Sequence, residues 1–185
     1  MEVIADAAQI ISYTRMKCSS NGTWTIHHVF TSEEQVMTRA APTIDVCVLL
    51  TREDGCVLLG ERKGTGFADG QYGIPGGHLE SGESVPQGAA REMKEEVGVV
   101  IDPDDLVCAH VAHHLGSEGK TRIGFFFTTT RWQGSPVNRE PELCSGLSWF
   151  DPAALPENTI PYIATIIDRI RSGQTFSAHG WDRAH

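Results

Sequence analysis

Three glutamates, Glu92, Glu95 and Glu96, crowd the end of one predicted helix, and Gly98 stops that helix. On a helix Glu92 and Glu96 are i,i+4 and share a face, with Cβ atoms ~5–6 Å apart; Glu95 sits beside them at i,i+3 from Glu92. Like charges at this spacing cost roughly 0.2–0.5 kcal/mol per pair. Their place at the C-terminal end adds about 0.3–1 kcal/mol per exposed charge from the helix dipole. Arg91 to Glu95 is an i,i+4 pair in the weaker orientation, so local pairing does not obviously repair the crowding. Two readings fit. In one, the glutamates are a solvated face that tolerates small costs. In the other, a divalent cation offsets the repulsion: carboxylates, water and a backbone carbonyl suit a hard ion such as Mg²⁺, bound at ~2.0–2.1 Å. Spacing alone does not decide between them.

The elements that must carry these residues follow from pattern. From Thr43, "TIDVCVLLT" is β-branched and apolar and predicts a strand; "CVLLGER" follows the turn "REDG", so the two form a hairpin. "KGTGFADGQ" is a glycine-rich loop, and "YGIP" a short strand leading into Gly76-Gly77. The helix is expected from about Pro86 to Val97, with proline near its first turn. Strands are expected near 105–114 and 121–130, then a loop over "WQGSPVNREPELCSG", a strand at "LSWF" and an amphipathic closing helix at "PYIATIIDRIRS". This is an α+β chain: a mixed β-sheet core flanked by helices, an α/β/α sandwich.

Residues 1–36 are expected to be an appendage. Val3, Ile4, Ala7, Ala8 and Ile11 have helical spacing, Asn21-Gly22 signals a hairpin, and Ser32 with Gln35 suggests a capping box. No chemistry is legible there; an extra arm or a homodimer contact is the simplest use. Residues 37–173 then form the main domain and 174–185 a tail. The chain has 185 residues, is 40% hydrophobic and carries a net charge of −9. That balance argues against a nucleic-acid groove. No apolar run approaches the ~18 residues of a membrane span, and no secretory leader is expected. Five scattered cysteines without a C-x-x-C pair fit reduced thiols and a cytoplasmic protein.

Residues upstream of the glutamates sharpen the choice. The stretch fits G-x5-E-x7-R-E-U-x-E-E-x-G-U, where U is bulky and apolar: Gly77, Glu83, Arg91, Glu92, Met93, Glu95, Glu96, Gly98 and Val99 match without a gap. This is the Nudix box, and over residues 43–173 the chain resembles the MutT-like Nudix hydrolases. The resemblance implies a Nudix fold and a loop–helix–loop in which Glu92, Glu96 and the Gly76 carbonyl hold Mg²⁺, with Mn²⁺ as a substitute. It implies that Glu95 is a water-mediated ligand or the base, and that Arg91 holds the carboxylates in place together with Glu83. It suggests that Arg62 and His78 face substrate phosphates. Where some relatives carry a further metal-binding glutamate this chain has Ser135, and Glu140 or Glu142 is a substitute.

The implied activity is Mg²⁺-dependent hydrolysis of a nucleoside diphosphate linkage in a small nucleotide. (Deoxy)nucleoside triphosphate cleavage to monophosphate and pyrophosphate leads, including oxidised purine nucleotides; an ADP-ribose or nucleotide-sugar pyrophosphatase is the near alternative. An isopentenyl diphosphate isomerase and a non-catalytic nucleotide-sensing module are the alternatives from other classes, and the intact box counts against both. His110, His113 and His114 raise zinc, but no cysteine or acidic partner stands at zinc spacing. Trp132, Phe125 and Phe127 are expected in the core rather than stacked on a base, and "KGTGFADG" lacks the Gly-Lys-Ser/Thr ending of a P-loop.

Overall fold

The computed structural model describes residues 13–18, 24–29, 41–116 and 119–181. It divides into two compact units, Met1–Arg39 and Ala40–His185. In the first, β1 (Tyr13–Cys18) and β2 (Trp24–Val29) form an antiparallel two-stranded sheet, with Cys18 opposite Trp24. The strands flank the expected Asn21-Gly22 turn. That turn, the helical spacing at 3–11 and the capping box at Ser32 lie outside the described residues.

The second unit is built on β3 (Thr43–Leu50), β4 (Val57–Arg62), β5 (Tyr72–Gly73), β6 (Gly76–His78), β7 (Val107–Leu115), β8 (Thr121–Thr129), β9 (Cys144–Phe150) and β10 (Phe176–His179). A five-stranded sheet runs β10-β7-β8-β3-β6 and a three-stranded sheet runs β5-β4-β9. Helix α1 (Val85–Glu92) and helix α2 (Pro161–Arg171) cover opposite faces. The alternation of strand side chains decides which residue meets which helix. Val46, Val48 and Leu50 of β3 and Leu58 of β4 pack with Ala89, Met93 and Val97. Leu49, Val57 and Leu59 turn the other way, onto Ile163, Ile166 and Ile167 of α2. The observed layering is the expected α/β/α arrangement. Trp132, Phe125 and Phe127 join the first of these cores, and Trp132 stacks on Trp149 at 6.2 Å.

The hairpin expected of β3 and β4 is not formed: the two strands lie in different sheets and pair only at the Thr51–Val57 bridge beside the turn. Two further features depart from the expected elements. The helix expected to run unbroken to Val97 is α-helical only through Glu92; Met93–Val97 forms a π-turn, closed by Gly98 at φ 73°. Gly98 N–H reaches Met93 O, and Val99 N–H reaches the same carbonyl at 3.3 Å. The wider turn takes in an extra residue. It lets Met93 and Val97 both bury completely while the glutamates between and before them splay apart.

The second of these is the tail, which is part of the sheet. β10 pairs in parallel with β7, Phe176 opposite Val111 and His179 opposite His114. A polar chain ties this edge together. His110 is fully buried, with Nδ1 2.7 Å from Gln174 O and Nε2 2.7 Å from Ser177 Oγ. A carbonyl only accepts, so Nδ1 carries the proton and Nε2 accepts from the Ser177 hydroxyl. Ser177 Oγ then accepts from His179 Nε2 at 2.7 Å. Burial, then the charge of Arg169, holds the His179 pKa below its ordinary value, consistent with a neutral ring. The neighbours of these histidines are therefore structural: His113 lies against Trp181, and His114 against Tyr162.

Ser177→Ala strands the buried Nε2 of His110, so it is expected to lower stability by roughly 1–3 kcal/mol in urea unfolding. Pairing it with His110→Phe, which removes both partners, should recover part of that loss; full additivity of the two losses would contradict the hydrogen-bonded chain.

Candidate active site

The loop after β6 and helix α1 are positioned by Arg91. Its Nε and Nη2 donate to the two oxygens of Glu83 (3.1 and 2.9 Å), Nη2 also to the His78 carbonyl (2.9 Å), and Nη1 to Glu92 Oε1 and Glu95 Oε2 (2.9 Å each). All five N–H groups of the guanidinium are used. These three carboxylates push the Arg91 pKa further up, and Glu83 is held below the ordinary carboxylate range by Arg91 and by the Glu80 N–H. The expectation that local pairing leaves the cluster unrepaired is thus corrected for Glu92 and Glu95, which are paired through one arginine.

Glu96 is the exception. Its Oε2 accepts from the Gly76 N–H at 2.9 Å. Burial, then the charges of Glu92 and Glu140, raises its pKa to about 7 despite that bond and the nearby Arg62. Burial also raises Glu92, against the pull of Arg91. Glycines make the close approach possible. Gly76 has φ 147°, and a Cβ there would lie 2.2 Å from Val46 O; a Cβ on Gly77 would lie 2.5 Å from Glu92 Oε1.

Glu140 arrives from the long loop after β8. Val137 N–H donates to Val97 O (2.8 Å) and Arg139 N–H to Glu96 O (2.9 Å), so the loop is stitched onto the end of the π-turn. A turn closed by Leu143 and Cys144 N–H on Glu140 O follows. Of the two substitutes for Ser135, Glu140 is therefore the one beside Glu92 and Glu96.

These groups border a cleft of about 310 Å³, between β4 and β9 on one side and the Gly73–His78 segment on the other; Glu96, Glu140, Arg62 and His78 line it. Arg62 sits at a bulge in the β4–β9 pairing, where strands re-aim side chains. Its Nε donates to Phe67 O (2.9 Å) and its guanidinium lies 5.7 Å from the Phe67 ring centroid. The glycine-rich loop is organised, because Asp69 accepts from Thr65 N–H (3.0 Å), Thr65 Oγ1 (2.8 Å) and Gly66 N–H (3.2 Å). A shallower depression of about 740 Å³, lined by Arg52, Asp54 and Trp132 among others, contains no box residue.

The structure brings Gly76, Glu83, Arg91, Glu92, Glu95 and Glu96 together, and sets Arg62 and His78 on the cleft. It adds a group that pattern did not single out. Arg122 on β8 makes a bidentate pair with Asp45 on β3 and lies 2.9 Å from His78 Nε2. The only sequence signal was an aspartate inside the apolar run "TIDVCVLL".

The NUDIX domain profile matches residues 41–170. The chain belongs to the Nudix family. It is 34% identical over 112 residues to the NAD-capped RNA hydrolase NudC of Stutzerimonas stutzeri, a match covering 59% of this chain and 36% of that one. The chain therefore spans about a third of that relative's length. It is 30% identical over 116 residues to the 8-oxo-dGTP diphosphatase of Haemophilus influenzae, covering 61% of this chain and 79% of that one. The crystal structure of a MutT NUDIX hydrolase from Burkholderia pseudomallei superposes with a TM-score of 0.63 at 25% identity, covering 69% of this chain and 97% of that one. The α+β architecture is thus the Nudix fold. Among the described residues, no helix is long and apolar enough to cross a membrane.

Among the described residues no set of three or more His, Cys, Asp or Glu side chains converges into a complete metal cage. The donor set nonetheless fits a hard cation: Glu92, Glu96 and Glu140 are oxygen donors, and the raised pKa of Glu96, beside two other glutamates, marks a place where a positive charge is favoured. The sign of the pH effect follows. A carboxyl whose folded pKa is raised from 4.5 to about 7 stabilises the fold fully below the lower value, and that contribution is lost as pH rises through the upper one. In EDTA, the wild type should lose melting temperature between pH 5 and 8 relative to Glu96→Gln, whose melting curve lacks this component. Parallel profiles for the two proteins would rule out the raised carboxyl.

Proposed function

We propose that this protein hydrolyses the diphosphate linkage of a small nucleotide with a divalent cation, and that its first substrates are (deoxy)nucleoside triphosphates, oxidised purine forms included, cut to monophosphate and pyrophosphate. The reaction class, hydrolysis of a phosphoric anhydride, rests on family membership. One observation carries the reading: a glutamate with a pKa of about 7 shares a cleft with Glu140 and Arg62, next to carboxylates tethered by Arg91. The oxidised-purine subset draws support from the likeness to the Haemophilus diphosphatase. A second reading, cleavage of ADP-ribose or a nucleotide sugar, draws support from the NudC likeness, whose named substrate contains a dinucleotide cap.

In this reading Glu92, Glu96 and the Gly76 carbonyl would hold Mg²⁺ or Mn²⁺, with Glu140 beside them. Such a cation would supply neutralisation of diphosphate charge and a lowered pKa for a water bound to it. The chain's own groups do the rest. Arg91 and Glu83 fix the carboxylates. Glu95, 54% exposed against 12% for Glu92, is the candidate base for a proton from water, or else a water-mediated ligand. Arg62 meets the phosphates across the cleft, and His78 lies at its end.

Turnover of nucleoside triphosphates, ADP-ribose and nucleotide sugars, with products separated by chromatography, tests the reading. Activity should require Mg²⁺ or Mn²⁺ and vanish in excess EDTA; undiminished turnover in EDTA refutes it. Mg²⁺ should raise the melting temperature, worth ~2.7 kcal/mol at a hundredfold excess over Kd, and Glu96→Gln should remove most of that shift and most of the turnover. Arg91→Lys keeps one charge but cannot span the three carboxylates, so it should cost roughly 10–100-fold in metal affinity or activity.

A further inference from the structure

Three adjacent strands of the large sheet, β8, β3 and β6, place Arg122, Asp45 and His78 side by side. Asp45 stands directly opposite His78 in one register and opposite Gly124 in the other. Gly124 has no side chain, and a Cβ there would lie 2.8 Å from Phe126 Cε2. The space above it is crossed by Arg122, which reaches from two residues away along β8 to take both oxygens of Asp45. Nothing in the core asks for this pair. Aspartate is depleted in strands, β3 is interior to the sheet, and a partly exposed ion pair stabilises little. The side chains are 21% exposed for Asp45, 43% for Arg122 and 64% for His78. What the pair does achieve is orientation: a guanidinium held by both carboxylate oxygens through Nε and Nη2, with the Nη1 N–H groups outside that pair and a carboxylate with spare lone pairs beside it.

The pair adjoins the catalytic cleft. His78 lines that cleft, directly follows Gly77 of the box, and is 2.9 Å from Arg122. Two residues along β3 from Asp45, Cys47 stands directly opposite Gly76, whose N–H donates to Glu96, so the strand that carries Asp45 also borders the box. A phosphate is a poor occupant for this spot, because Asp45 already neutralises Arg122 and repels anions. A planar edge offering one acceptor and one donor is a good one.

We propose that Asp45 and Arg122 read the hydrogen-bonding edge of the substrate's nucleobase, Arg122 donating to a ring or carbonyl acceptor and Asp45 accepting from an amino or imino N–H. The inference rests on the nucleotide reading of the cleft and names the residues that select the base. Purines present such an adjacent acceptor and donor on one edge.

The test is calorimetric binding of GMP, AMP, CMP and UMP, and separately of inorganic pyrophosphate, each with Mg²⁺, to the wild type, Asp45→Asn, Arg122→Gln and Arg122→Lys. Both partners should matter: the best-bound monophosphate should weaken roughly tenfold or more, and the spread among the four should narrow. Pyrophosphate affinity should not change. In turnover, the loss should fall on KM rather than kcat. If Asp45→Asn fails to fold, the two Arg122 variants, at a half-exposed side chain, carry the test alone. Unchanged base preference in the variants overturns the inference while leaving the hydrolase reading intact. Equal weakening of pyrophosphate makes Arg122 a phosphate clamp and also overturns it. A wild type that binds pyrophosphate but no nucleotide overturns the inference together with the nucleotide reading.

Discussion

One guanidinium organises the site. Arg91 spends every N–H it has on the strand before the box loop, on the loop itself and on the helix after it: the His78 carbonyl, both oxygens of Glu83, Glu92 and Glu95. Planar, forked and always charged, arginine can serve several carboxylates at once, which an ammonium on a flexible stem cannot. Without it, three carboxylates on one loop and one helix end would repel each other and the strand would lose its anchor. Removing one partner of such a set is costly because the others are left with uncompensated charge.

Glu96 stands outside that arrangement, and the local backbone explains why. The π-turn at Met93–Val97 keeps Met93 and Val97 in the core while rotating Glu96 away from Arg91 and toward the Gly76 amide. A single neutral donor does not offset burial beside Glu92 and Glu140, so the carboxyl retains its proton up to about pH 7. The fold therefore holds an electrostatic cost in one place, of the kind that proteins keep where function needs it. Gly76, at φ 147°, belongs to the same device, since no other residue could bring its amide to that carboxylate.

What was legible in the sequence was local. The β-branched runs, the box and the amphipathic closing helix each state their conformation within about ten residues, and β3, β4, β7, β8 and α2 lie where those patterns put them. What was not legible depends on partners far along the chain. The tail becomes a strand only because β7 offers a parallel edge and Ser177 can meet His110, 67 residues away. Asp45 looks like a blemish in an apolar strand until Arg122, 77 residues on, arrives beside it. Glu140 was one of two choices because a loop's path is set by backbone bonds to Val97 and Glu96 that leave no mark in side-chain pattern. The π-turn was hidden for a different reason: i,i+4 spacing is the default for any helix, and the sequence shows where Gly98 ends it but not how the last turn is wound.

The charges of the cleft also impose an order on events. Its lining carries the acidic side chains of Glu61, Glu96 and Glu140, the second only partly ionised at neutral pH, against the single guanidinium of Arg62, in a chain whose net charge is already −9. Glu61 is tied to Ser145 Oγ at 2.6 Å, so it is fixed in place rather than free to swing away. Arg91 and Arg122, also near the site, are already matched by the box glutamates and by Asp45. A polyanionic substrate approaching this surface alone meets repulsion at short range, where screening by salt is weakest. On the proposed function, a cation held at Glu92 and Glu96 beside Glu140 would turn the same carboxylates into its anchor, and a diphosphate would then meet positive charge there as well as at Arg62. The acidity of the cleft is therefore compatible with the proposed anionic substrate: on that reading entry would be conditional on the cation, and Asp45 and Arg122, whose charges already cancel, would act through hydrogen-bond direction instead of field.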